Sequence, residues 1–122
     1  MPRLLAIALD VAAVFAFAAI GRASHAEASD PEGVARTAAP FLLAALMAWV
    51  FLVMKQPTQS LWRQGLLVWG ATVVGGMLFR AMLGEGVQPA FVAVTAIALA
   101  AGLFAWRAVA VWVLRRAGRP GR

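Results

Sequence analysis

Four apolar runs take up most of this chain of 122 residues, and they limit its folding more than any other feature. They are Leu4 to Ile20, Ala38 to Met54, Leu61 to Leu83 and Pro89 to Leu114. Each is close to the roughly 20 helical residues needed to cross a hydrocarbon core. None alternates as a barrel strand does, and inside lipid only a helix or a closed barrel satisfies the backbone. A soluble domain of this length has too little interior for a sequence that is 63% hydrophobic and 13% charged. The pattern predicts a single all-α domain: a four-transmembrane-helix antiparallel bundle, multi-pass in the cell's inner (plasma) membrane. Its helices are expected at about 4–21, 31–54, 61–83 and 89–114.

The second helix is expected to begin before its apolar run. Asp30-Pro31-Glu32 supplies an N-cap, a proline at the first helical position and an acid in the first turn, which leaves Pro40 to kink the interior. Connections are short, so sequential helices should be antiparallel neighbours. A competing reading takes Arg3, the first run and Ala26-Glu27-Ala28 as a cleaved signal peptide; Asp10 within the apolar stretch argues against it.

Orientation follows from basic residues. One side would hold Arg3, Lys55, Arg63, Arg115, Arg116, Arg119 and Arg122, and the other Arg22, Arg36 and Arg80 with most of the acids. The positive-inside bias predicts both termini in the cytoplasm. Trp49, Trp62, Trp106 and Trp112 would then anchor at the cytoplasmic interface. The net charge of +6 is spread over ends and loops, which fits membrane-lipid headgroups and not nucleic acid.

Two charges lie deep in apolar runs. Asp10 is seven residues from Arg3 and Arg107 eight from Arg115, so both sit about 10–12 Å from the same interface at the helical rise. Such residues pair or serve function, and the two should touch, making the first and fourth helices adjacent. The face of Asp10 carries Ala6, Ala13, Val14, Phe17 and Gly21, and that of Arg107 carries Ala93, Ala96 and Ala100. Two readings stay open: a buried ion pair that fixes helix register, or a proton or solute site. Gly65, Gly70, Gly75 and Gly76 are expected to let helices approach closely.

At the opposite interface Arg22, Ser24, His25 and Arg80 form a second cluster, suited to an outer anion site because guanidinium matches phosphate and carboxylate. The alternative is that both arginines reach headgroups or pair with Asp30, Glu32 and Glu85. One histidine without other ligands makes no metal or haem site, and the absence of cysteine excludes thiolate chemistry, so no metal and no cofactor is expected. No nucleophile–base arrangement or paired carboxylates appear within the spans, so the sequence leans away from an enzyme.

These residues resemble a family of small bacterial and archaeal membrane proteins catalogued as domain of unknown function 3054. The likeness runs through Asp10, Ile20-Gly21-Arg22 with Ser24-His25, Pro40-Phe41, Trp49, Val68-Trp69, Thr72, Gly76-Met77, Arg80, Phe91-Val92 and Trp106-Arg107. It departs at Gln88-Pro89-Ala90, where the family has a Thr-Ala or Ala-Ser step. The resemblance implies the fold and no activity. A lone acid in the first of four helices also looks like the small multidrug-resistance exporters. The expected function is accordingly small-solute or ion transport, proton-coupled or of anions. The alternative is a non-catalytic partner subunit, as a homo-oligomer or with another membrane protein.

Overall fold

The computed structural model describes residues 2–24, 31–55 and 60–118, the side chains of residues 23 and 24 excepted. Asp30 and the Ala26-Glu27-Ala28 step lie outside these residues, as do Arg119 and Arg122. Four helices account for nearly all of the described chain: α1 (Arg3–Ser24), α2 (Pro31–Lys55), α3 (Leu61–Met82) and α4 (Pro89–Ala117). All four are long and apolar enough to cross a membrane.

Local chemistry sets the visible ends. The Ser60 hydroxyl caps α3 by accepting from the Arg63 N–H at 3.2 Å. Gly84, at φ +78°, ends α3 in a left-handed conformation open to glycine. The Gly84 N–H then reaches the Ala81 carbonyl at 3.1 Å and the Glu85 N–H reaches that of Arg80 at 2.9 Å, the paired bonds of a Schellman cap. Pro31 and Pro89 open α2 and α4, where a missing N–H costs nothing. Pro40 lies inside α2.

The helices close into a ring in which α1 packs on α2 and α4, and α3 on the same two. Neighbours run in opposite directions. Arg22 near the end of α1 meets Thr37 near the start of α2, whereas Asp10 meets Trp49 near the end of α2. Arg3, Lys55, Arg63, Arg115 and Arg116 therefore mark one end of the bundle, and Arg22, Arg36 and Arg80 the other.

The core is narrow. Val14, Phe41, Ala45, Trp49, Leu52, Val68, Leu99 and Leu103 are buried, while Leu4, Ile20, Met54, Met82 and Ile97 each expose more than 65% of their surface. Such apolar exposure around the whole circumference suits a lipid solvent. Glycine brings the backbones together. A Cβ on Gly75 would stand 2.9 Å from that of Ala44, and one on Gly76 would collide with the Phe41 ring. Gly70 has open space around it, so of the four α3 glycines it alone is not a packing position. The Trp69 indole donates to the Ala96 carbonyl at 2.8 Å and ties α3 to α4.

Candidate functional site

The Asp10 carboxylate is wholly buried. Arg107 approaches it end-on with both terminal nitrogens, Nη1 to Oδ1 at 2.6 Å and Nη2 to Oδ2 at 2.8 Å. Each oxygen accepts a second bond from an indole: Trp49 Nε1 to Oδ2 and Trp106 Nε1 to Oδ1, both at 2.9 Å. Arg107 Nη1 also donates to the Leu103 carbonyl at 3.0 Å, and the guanidinium stacks on the Trp106 ring at 4.2 Å. A bidentate arginine with two further donors satisfies a carboxylate that lipid could not solvate. The buried Arg107 Nε makes no hydrogen bond.

All four helices take part. α1 supplies the acid, α2 one indole, α4 the other indole and the guanidinium. α3 supplies space: a Cβ on Gly65 would lie 2.8 Å from both Arg107 Cδ and Phe104 Cε1. The expected contact between Asp10 and Arg107 is present, but two expectations around it change. Trp49 and Trp106 turn their N–H groups inward onto Asp10, because an unmet carboxylate inside the bundle outweighs anchoring at an interface. Trp62 and Trp112 remain exposed. The buried stripe through Arg107 is Thr95-Leu99-Leu103, one residue per turn, and Ala93 lies exposed on another face.

At the opposite end a cavity of about 490 Å³ opens among α1, α2, α3 and α4. Arg22, Arg36, Thr37, Arg80, Glu85, Gln88 and Thr95 supply its polar lining, over a floor that includes Phe17 and Phe91. Below the floor Phe41 packs edge-on to Phe17 at 5.3 Å and tilted to Phe91 at 6.5 Å. Phe41 and Trp49 are eight residues apart on α2, which separates the cavity floor from Asp10 by about 12 Å. Buried Val14, Ala45, Val68 and Leu99 lie between them along the helices.

The arginines of the cavity are held by protein partners. Arg22 donates to the Thr37 hydroxyl at 3.1 Å. Arg36 pairs with Glu32 at 3.0 Å on the surface. Arg80 pairs with Glu85 at 3.4 Å, donates to the Gly86 carbonyl from Nε and Nη2, and lies over Phe91 at 4.3 Å. Arg22, Arg36 and Arg80 against Glu85 leave the described lining two positive charges in excess. Thr95 is fully buried, yet its hydroxyl has no hydrogen-bond partner. Of the expected outer cluster, the structure brings Arg22 and Arg80 to one cavity. His25 and the Ser24 side chain lie outside the described residues. Arg36, Thr37, Gln88 and Thr95 were not anticipated there. No group of three or more metal-ligating side chains occurs among the described residues.

Residues 7–110 match the family described as protein of unknown function (DUF3054), a span that includes every residue of both sites described here. No curated protein and no solved structure matches the chain.

Proposed function

The chain belongs to this family of unknown function, and we propose that it is a membrane-embedded anion-binding protein whose ligand enters the arginine-lined cavity. One observation carries the reading: a cavity of about 490 Å³ is lined by three arginines against one carboxylate, Glu85, two positive charges in excess. With both termini in the cytoplasm, as the basic ends favour, the cavity faces outward.

Within the transport readings of the sequence, the geometry supports handling of anions over proton coupling at Asp10. That carboxylate is fully enclosed by Arg107, Trp49 and Trp106, and it serves as a staple joining helices. The partner-subunit reading draws on a separate observation, an apolar groove of about 460 Å³ between α2 and α3 lined by Ala44, Ala71 and Gly75. Native mass spectrometry in a mild detergent tests it, and a strict monomer would remove its basis.

The anion reading is tested by thermal unfolding of purified protein titrated with inorganic phosphate, acetate and sulfate. At least one anion should raise the transition temperature beyond a chloride control at equal ionic strength, and Arg80→Ala should abolish the rise. Arg80 also braces the α3–α4 turn. Arg36→Gln, whose described ion pair is with surface Glu32, therefore serves as a second variant and should weaken the response. Equal responses to all anions in every variant would defeat the reading.

A further inference from the structure

The arginine cavity is not isolated on the surface of the bundle. Phe17, Gly21 and Val94 line it and also line a second, apolar hollow of about 740 Å³ between α1 and α4. That hollow continues along both helices past Ala16 and Ala101 to Leu9 and Trp106. From Gly21 to Leu9 is twelve residues, a groove about 18 Å long at the helical rise. One leaflet's share of a hydrocarbon core is about 15 Å. A cationic chamber at one end of the bundle thus adjoins an apolar trough one leaflet deep.

We infer that this composite site binds an anionic phospholipid, its phosphate group in the arginine cavity and an acyl chain in the α1–α4 groove. The inference rests on the anion-binding reading and names its ligand. Phosphate is favoured because three arginines line one cavity against a single carboxylate, and guanidinium meets phosphate oxygens in a planar fork. The occupant of the groove follows from its continuity with that charge. A soluble anion leaves the trough without a role, whereas a lipid fills both compartments at once. Alanine and glycine make the trough: Ala12, Ala13, Ala16, Ala98, Ala101 and Gly102 keep its walls low where larger side chains would close it.

The full chain in nanodiscs of neutral phosphatidylcholine, with and without one part in ten of dioleoyl phosphatidate, tests the assignment. Glycerol 3-phosphate, a headgroup without a chain, is titrated in parallel. Retained lipid is read by native mass spectrometry and stability by thermal unfolding. Phosphatidate should be retained over phosphatidylcholine and should raise the transition temperature more than glycerol 3-phosphate does. Arg80→Gln and Arg36→Gln should each reduce both responses. Ala16→Phe and Ala101→Phe place bulk in the groove from positions exposed on its rim, so folding is spared. Displacing about two methylenes should weaken phosphatidate roughly tenfold and leave the glycerol 3-phosphate response unchanged. If both groove variants bind phosphatidate as wild type does while glycerol 3-phosphate stabilises fully, the lipid assignment fails and the anion reading stands. If neither probe distinguishes wild type from the arginine variants, both fail.

Discussion

Replacing Asp10 by asparagine should be among the most damaging single changes available in this bundle. The substitution keeps the size of the side chain and removes its charge. Arg107 is then left fully buried with no anion, and an amide N–H₂ replaces an oxygen that accepted both an arginine and an indole. Breaking a buried ion pair from one side costs about 3–5 kcal/mol. Loss of a hydrogen bond to a charged group at either indole adds about 1.5–3 kcal/mol when it is not replaced. Against a total stability of about 5–15 kcal/mol, the variant should lose a third or more. Reversible unfolding in mixed micelles gives the numbers, and a cycle with Arg107→Gln isolates the pair. The doubly substituted protein should be less impaired than the sum of the two singles, with a coupling of at least about 2 kcal/mol. Single effects that add within about 0.5 kcal/mol would refute the reasoning, because residues sharing one buried network cannot act independently.

Gly65→Ala should destabilise by about 1–3 kcal/mol, since the new methyl must displace Arg107 Cδ and Phe104, whereas Gly70→Ala meets nothing and should be neutral or better in the same unfolding assay. Thr72 and Thr95 both bury an unpartnered hydroxyl, so Thr72→Val and Thr95→Val should each raise the stability of the unliganded protein by about 1 kcal/mol. Because the chain has no cysteine, single cysteines at positions 30 and 58 report orientation cleanly. Position 30 should label from outside and position 58 from the cytoplasm; labelling of both from one side would defeat the four-span arrangement.

The pairing of Asp10 with Arg107 was legible because depth in a membrane can be counted along a helix, and two counts from opposite ends of the chain agreed. The same arithmetic could have recruited Trp49, which stands six residues or about 9 Å from Lys55, at nearly the depth of Asp10. An interface anchor is the commoner role for tryptophan near a helix end, and it masks the inward one. The face of α4 was misplaced for a related reason. Alanine spacing suggested Ala93, Ala96 and Ala100, but a charged side chain buried at 107 draws the residues one turn apart, 95, 99 and 103, inward with it. Spans and ends were readable from apolar length, from Pro31 and Pro89, and from the glycines after Leu83. The arginine cavity was legible only in part. Arg22, Arg36 and Arg80 could be assigned to one end from the sequence, whereas bringing them to one hollow with Thr37, Gln88 and Thr95 depends on how the helices rotate about their axes. That rotation follows from contacts such as Phe41 against the Gly76 backbone, which no local pattern encodes.

The central claim is that the buried charges hold the bundle together while ligand recognition belongs to the opposite end. It is tested most directly by removing the staple as a unit and then measuring anion binding. Asp10→Leu with Arg107→Met replaces both charges by apolar side chains, which leaves no unpaired ion and costs the acceptor of the Trp49 and Trp106 indoles, about 1–3 kcal/mol each. The phosphate-dependent rise in transition temperature should persist in this double variant at close to its wild-type size, because the cavity lies about 12 Å away across a packed aromatic floor. A double variant that folds with wild-type helicity yet loses that rise would contradict the account and return Asp10 and Arg107 to the functional site.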